Sequence, residues 1–292
     1  MYLPPRLRRL HVRIERVLAR AARAHLGMTA AAVAFFGFLS IFPGIATVIA
    51  LWSLMADPRA IRQEMQFIAD LLPRDAFSLI DAQVESLLSA TGSDLGWATL
   101  VSLVVAFWSA RAGVAGMISG LNAVHHHPER GNVRHTLLAL ALTLVLVLIA
   151  LAALVAAVVV PLLLRFVPLG TMAALALELA NSILSMGLLV LGLALTYRYG
   201  PNRPDHVETR LFTRGLLVAM VLWLIISRGF VIYLANFNNY NQVYGSIGAV
   251  VILMMWLYLS AYAVLIGAAV DAERAMIPEV GLPPDPEAPP VQ

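Results

Sequence analysis

Long apolar stretches, each of more than 20 residues, recur six times along the chain. A helix needs about 20 apolar residues to cross the ~30 Å hydrocarbon core of a bilayer, so each stretch predicts one membrane-spanning helix. The predicted fold class is therefore an all-α integral membrane protein with six transmembrane helices. The predicted spans cover residues 28–56, 95–124, 136–164, 171–197, 211–235 and 247–270.

The composition supports this prediction and excludes several other classes. Hydrophobic residues make up 60% of the 292 residues and charged residues only 13%, and the mean hydropathy is +0.82. Soluble proteins carry about 25% charged residues, so this chain has too little charge to cover a water-exposed surface. The absence of cysteine excludes disulfides and thiolate metal sites. A formal net charge of +3 is too small to indicate a nucleic-acid partner.

The arginines predict the orientation of the bundle. Seven arginines precede the first span, and further arginines lie in the second-to-third and fourth-to-fifth connections. Positively charged connections stay in the cytoplasm, so both termini are predicted to be cytoplasmic. The seven arginines of the N-terminal segment are Arg6, Arg8, Arg9, Arg13, Arg16, Arg20 and Arg23.

The N-terminal segment, residues 1–27, has the pattern of a basic amphipathic helix. Apolar residues recur at helical spacing, and most of the arginines fall on the opposite face. Such a helix is suited to lying on anionic cytoplasmic lipid. The alternative is a topology anchor with no further role. The apolar positions are Leu7, Leu10, Ile14, Val17, Leu18 and Ala21.

Two further segments lie outside the spans of the membrane domain, which is assigned to residues 28–275. Residues 57–94 carry seven acidic residues against three arginines and show two helical patterns separated by Pro73. They predict a periplasmic helical hairpin, acting either as a structural cap or as a substrate lid. Residues 276–292 are rich in proline and predict a disordered cytoplasmic tail.

Ionisable and polar residues inside the fourth and fifth spans form the first candidate site. Glu178 and Arg228 each lie seven residues from the outer end of their span, which places both roughly 10 Å below the membrane boundary and within reach of an ion pair. Glu178, Asn181, Ser182 and Ser185 follow the spacing of one helix face. This pattern indicates either a polar cavity that contacts a substrate or a buried pair that holds the bundle together.

Other polar residues give weaker signals. Arg111 lies in the inner half of the second span, where it can snorkel toward the cytoplasm or bind a lipid phosphate. The run His125, His126 and His127 is a poor metal site, because consecutive helical residues point about 100° apart. No metallo-hydrolase or nucleotide-binding motif occurs in the sequence. We therefore predict no metal, no cofactor and no enzymatic activity.

Short sequence motifs, here called strings, occur in a fixed order from the first predicted span to the last. They are Ala34-Phe-Phe-Gly-Phe-Leu-Ser-Ile-Phe-Pro43, Phe107-Trp-Ser109, Leu121-Asn122, Tyr197-Arg198, Pro201-Asn202, Ser227-Arg-Gly-Phe230, Tyr233, Tyr244-Gly-Ser-Ile-Gly-Ala249, Trp256-Leu-Tyr258, Gly267 and Asp271-Ala-Glu273. Together they resemble the YihY/BrkB family of bacterial inner-membrane proteins over roughly residues 25–275. The resemblance implies a six-span protein of the bacterial inner membrane, in agreement with the hydropathy pattern.

The resemblance also bears on function. Members of the family have been labelled as virulence or serum-resistance factors, as a ribonuclease and as candidate lipid-precursor exporters. The sequence lacks the converging carboxylates of a metal-dependent nuclease, so we reject ribonuclease activity. The favoured hypothesis is binding or transport of an amphiphilic, lipid-like molecule. The alternative is a non-transporting scaffold or a regulatory, virulence-associated envelope protein.

Overall fold

A computed structural model describes residues 5–55, 81, 92–156, 171–203, 211–235 and 241–275. Within these residues the chain forms seven α-helices and no β-strand. Their bounds are α1 (Pro5–Arg23), α2 (Leu26–Met55), α3 (Gly92–His125), α4 (Asn132–Leu154), α5 (Thr171–Tyr199), α6 (Arg214–Ala235) and α7 (Asn241–Ala275).

Six of the seven described helices, α2 to α7, are long and apolar enough to cross a membrane. The all-α, six-span fold class predicted from the sequence is therefore confirmed. The predicted hairpin over residues 57–94 lies outside the described residues, apart from Asp81 and the first turn of α3. The predicted tail over residues 276–292 and the end of the third predicted span, after Ala156, also lie outside them.

The centre of the bundle is formed by α2, α3 and α7. Helix α2 packs most extensively against α3, and α7 packs on α6, α2 and α3. Helix α4 packs on α3 and on α5, whereas α5 and α6 contact each other only slightly. Within the described residues, the bundle therefore has a closely packed centre and a weakly packed seam between α5 and α6.

The most buried side chains lie at one end of the bundle, which we call the basic end. This end holds α1, the starts of α2, α4 and α6, and the ends of α3, α5 and α7. Leu26, Leu121, Leu216 and Leu265 are fully buried there. Between membrane helices such side chains stabilise the bundle through van der Waals packing, so this end is where the described helices pack most closely.

Helices α6 and α7 meet at two glycines near the basic end. A methyl group added at Gly215 would overlap the backbone oxygen of Gly267, and one added at Gly267 would overlap that of Gly215. Asp271 on α7 accepts a hydrogen bond from the Gly215 N–H at 2.7 Å, which satisfies a free donor at the start of α6. Backbone contact between these helices is possible only because both positions lack a Cβ atom.

Helix α1 is attached to the bundle by a buried arginine. Arg20 is 4% exposed and donates to the backbone oxygen of Val124 at the end of α3 over 2.8 Å. A second nitrogen of Arg20 lies 3.5 Å from the carboxylate of Glu273 on α7. Ala21 is buried beside it in the same core. One face of α1 is therefore fixed to the ends of α3 and α7.

The histidine run forms the end of α3. His126 has a positive φ of 54°, and the His127 N–H bonds to the backbone oxygen of Asn122 at 3.0 Å. This is the pattern of a left-handed helix cap, a conformation in which histidine is enriched. The rings of His125 and His127 stack with their centroids 5.7 Å apart. These histidines thus have a local structural role at the basic end.

Candidate functional site

The polar stripe predicted on α5 divides between two sides of the helix. The Asn181 side-chain amide donates to the backbone oxygen of Ala156, just after α4, at 2.7 Å. The Asn181 side-chain oxygen and the Ser185 hydroxyl are buried, and neither has a hydrogen-bond partner in the described part of the chain. Ser182 lines a groove on another side of α5, and Glu178 is exposed. The four residues share one half of the helix but do not form one polar surface.

The ion pair expected between Glu178 and Arg228 is not formed, which corrects the sequence-based prediction. Both side chains are exposed on the isolated chain, and none of the ion pairs among the described residues joins them. Equal depth in the membrane fixes the height of a residue but not its direction around the helix axis. Because α6 packs mainly on α7 and only slightly on α5, residues at equal depth on α5 and α6 need not face each other.

Arg111 is held against its own helix. Its guanidinium carbon lies 4.8 Å from the centre of the Trp108 ring, a distance that allows a cation–π interaction. The Arg111 Nε atom is buried without a hydrogen-bond partner. Arg111 therefore sits apart from the stripe on α5 and from the groove beside it.

An apolar groove lies beside α5, on the open side toward the start of α6. Its volume is about 710 Å³. Its α5 residues run from Leu179 to Ala194, which corresponds to a length of about 22 Å at 1.5 Å per residue. Among the residues that line it, only Ser182 has a polar side chain. The lining residues are Leu179, Ser182, Ile183, Met186, Gly187, Val190, Leu191, Ala194, Leu211 and Phe212.

The groove differs in its chemistry from the polar cavity that the sequence suggested, which stays a prediction. A cavity is present beside the fourth and fifth spans, but it is apolar, and Ser182 is the only predicted site residue that lines it. Leu179, Ile183 and Val190 were not singled out in the sequence. Their helical spacing is that of any lipid-facing stripe in a membrane helix, so no signal in the sequence distinguished them.

A polar network closes the basic end between α3, α4 and α5. Arg130 donates to the backbone oxygens of Gly200 and Pro201 at 2.7 and 2.8 Å, and so satisfies free carbonyl groups at the end of α5. The Asn202 N–H donates to the side-chain oxygen of the buried Asn122 at 2.6 Å. This network joins two of the strings that carried the family resemblance, Leu121-Asn122 and Pro201-Asn202.

The histidine beside this network does not add positive charge. Burial lowers the pKa of His127 below its ordinary value of 6.5, and the nearby Arg203 and His126 lower it further. The imidazole is therefore neutral at neutral pH. Among the described residues, no three His, Asp or Glu side chains are grouped as metal ligands. The fixed positive charge of this end comes from arginine.

Comparisons with known proteins identify the family to which the chain is similar. The model of the virulence factor BrkB family matches residues 17–290. A Bacillus subtilis protein named as ribonuclease-like, YfkH, is 25% identical over 269 residues, which cover 87% of this chain and 94% of that protein. No solved structure matches the chain significantly.

Relatives from Xanthomonas carry a membrane-protein name. A UPF0761 membrane protein of Xanthomonas oryzae is 36% identical over 98 residues, 34% of this chain. One from Xanthomonas campestris is 35% identical over 98 residues. These matches span 23% of the length of each Xanthomonas protein. Because the family model covers nearly the whole chain, this protein belongs to the virulence factor BrkB family of membrane proteins.

Proposed function

We propose that the protein binds an amphiphilic, lipid-like molecule in the groove beside α5 and transports it within the bilayer. The observation that carries this proposal is the apolar groove of about 710 Å³ at the seam between α5 and α6. In a membrane, an apolar groove that opens sideways is filled by hydrocarbon, because water has no polar partners there. A hydrocarbon chain is therefore its natural occupant.

The length of the groove supports movement as well as binding. The α5 residues from Leu179 to Ala194 span about 22 Å, whereas half of the hydrocarbon core is about 15 Å thick. A chain that follows the groove would extend past the bilayer midplane. The few contacts between α5 and α6 leave this side of α5 accessible to a hydrocarbon chain.

The tightly packed centre of the bundle favours a second candidate function. Helices α2, α3 and α7 form an extensive contact, and a rigid centre of this kind suits a scaffold or regulatory subunit. In that case the groove would hold only ordinary bulk lipid. The two functions therefore differ in whether the groove selects and retains a molecule.

Filling the groove tests the proposal. Gly187 lines the groove, and a Cβ atom there meets nothing within 4 Å. We expect Gly187→Trp to fold normally and to occlude the groove, lowering lipid retention about tenfold, or about 1.4 kcal/mol. The measurement is crosslinking in proteoliposomes to phosphatidylcholine with a photoactivatable acyl chain, with the modified residues mapped by mass spectrometry.

Gly229→Trp is the matched control. Gly229 also has open space around it, but it lies on α6 outside the groove. Crosslinks should concentrate on residues 179–194 in the wild type and in the control, and should disappear there in Gly187→Trp. Crosslinks spread evenly over all exposed helices would contradict binding in the groove. Exchange of a fluorescent lipid between leaflets of the same proteoliposomes separates transport from binding alone.

We also propose that the basic end faces the cytoplasm of a bacterial cell and that α1 lies on anionic lipid. Ile14 and Leu18 are exposed on α1, at 50% and 52%, while Arg20 holds another face of the helix on the bundle. Exposed apolar side chains beside arginines are suited to the headgroup layer. The arginine-rich connections support the same orientation through the positive-inside rule.

Site-directed labelling tests this orientation. Single cysteines can be introduced without interference, since the chain has none. We expect cysteines placed at residues 70–90 to react with a membrane-impermeant reagent in whole spheroplasts, because that segment is predicted to be periplasmic. Cysteines within α1 should react only after the membrane is permeabilised. Reaction of α1 in intact spheroplasts would reverse the proposed topology.

A further inference from the structure

Two arginines mark the basic end of the groove. Arg198 follows Ala194 by four residues and Leu191 by seven, so it lies on the face of α5 that lines the groove. Arg214 is the first residue of α6 and follows the lining residue Phe212 by two positions. One arginine thus stands at this end of the groove on each of the two segments that line it.

Within the described ranges, no carboxylate pairs with these two arginines. The Arg198 guanidinium carbon lies 5.5 Å from the centre of the Tyr199 ring, which holds the side chain at the end of α5. Arg274 on α7 lies close enough to Arg214 for the two to repel each other. Positive charge therefore accumulates beside the groove.

One acid of α7, Asp271, offsets part of this positive charge, because its carboxylate acts on Arg274 and Arg203. Asp271 accepts the hydrogen bond from the Gly215 N–H, at the first turn of α6. Guanidinium groups bind phosphate oxygens through paired hydrogen bonds, and basic groups at a membrane surface attract anionic headgroups. An apolar groove that ends near two arginines without an ion pair in the described part of the chain suits a lipid with a hydrocarbon chain and a negative headgroup.

We infer that the groove selects an anionic phospholipid, with its acyl chain along α5 and its phosphate between Arg198 and Arg214 at the basic end. This inference rests on the proposed function, because it names the class of molecule that the groove would hold. The headgroup enters from the side of the membrane that the basic end faces, and the chain lies against Leu179 to Ala194.

The test compares two phospholipids that differ only in their headgroups. The full-length protein in detergent is mixed with equal amounts of phosphatidylglycerol and phosphatidylcholine with identical acyl chains, and the retained lipid is counted by native mass spectrometry. We expect the wild type to retain phosphatidylglycerol about tenfold better, in line with the attraction of two arginines to an anionic headgroup. Phosphatidylcholine also carries a phosphate, but its choline cation cancels that charge. Arg198→Gln/Arg214→Gln should therefore remove most of this preference, with the larger loss falling on phosphatidylglycerol.

Two further variants control for net charge and for folding. Arg134→Gln/Arg228→Gln removes two exposed arginines that lie on α4 and α6 and do not line the groove, and it should keep the preference. Arg198→Lys/Arg214→Lys keeps the positive charge of both side chains and should restore part of the preference for phosphatidylglycerol. Equal losses in the two Gln double variants would overturn the inference, since the preference would then reflect net charge alone.

The outcomes distinguish the inference from the proposed function. If the wild type retains both lipids equally and Gly187→Trp loses both, the groove binds lipid but does not recognise the headgroup, and only the inference fails. If Gly187→Trp keeps the full preference for phosphatidylglycerol, the binding lies outside the groove and both fail. An excess of glycerol phosphate, which has no acyl chain, should not displace the lipid; full displacement would indicate a site for soluble phosphate and overturn the inference.

Discussion

Gly267→Ala should destabilise the protein by about 3 kcal/mol and lower its Tm by about 10 °C. A Cβ atom at Gly267 would overlap the backbone oxygen of Gly215 and would lie 2.5 Å from the Tyr197 hydroxyl and 2.7 Å from the Ala219 Cβ. Two of these neighbours belong to α6 and one to α5, so no single side chain can move aside. Either α6 and α5 must move away from α7 or the backbone of α7 must shift.

The Tyr197 contact adds to this effect. The Tyr197 hydroxyl donates to the backbone oxygen of Val264, one turn before Gly267, and a displaced ring would leave a buried hydroxyl unpaired. Thermal unfolding in detergent, followed by tryptophan fluorescence, measures the change. Gly37→Ala is the matched control, because a Cβ atom there meets nothing within 4 Å and alanine favours a helix. Equal melting temperatures for the two variants would contradict the proposed backbone contact.

Arg20→Gln should release α1 from the bundle and leave the six spans in place. The substitution removes the partner of the buried Val124 oxygen. It also leaves Glu273 with only the exposed Arg16 at 3.8 Å. Removing one member of a buried pair typically costs about 3–5 kcal/mol. This cost lowers the free energy with which α1 binds to the bundle, because the spans pack against one another without Arg20.

Hydrogen–deuterium exchange measures this release directly. In Arg20→Gln, backbone amides of residues 17–23 should lose protection, while those of α3 and α7 should retain it. Arg23→Gln is the control, since Arg23 is exposed and its side chain bonds only within its own helix, to Ala19. Combining Arg20→Gln with Glu273→Gln should cost less than the sum of the two single changes. Strictly additive effects would show that the pair does not hold α1.

The apolar groove could not be predicted from the sequence, whereas the polar residues of α5 could. A polar stripe on α5 was visible because serine, asparagine and glutamate are rare in a membrane span. The groove itself consists of leucine, isoleucine, valine, methionine and glycine, the same residues that face lipid elsewhere. Whether an apolar side chain lines a groove or faces bulk lipid depends on how near the next helix lies, and periodicity does not report that distance.

The basic end shows the same limit for polar groups. Asn122, Tyr197, Gly267 and Asp271 all belong to strings that suggested the family, yet they are far apart in the chain. In the structure, Asn122 accepts a hydrogen bond from Asn202 and Tyr197 donates one to α7. Asp271 accepts one from the start of α6. No rule of spacing connects residues of separate spans, so these contacts could not be derived from the sequence.

The sequence by itself determined the class, the number of spans and the arginine-rich segments of this protein. It did so because membrane insertion depends on hydropathy summed over about 20 residues, a property of local sequence. Only the tertiary structure decided which helices are neighbours. It separated Glu178 from Arg228, docked α1 through Arg20 and opened an apolar groove beside α5. These features depend on the direction in which each helix face points, which is set by packing between spans and not by the pattern within any one of them.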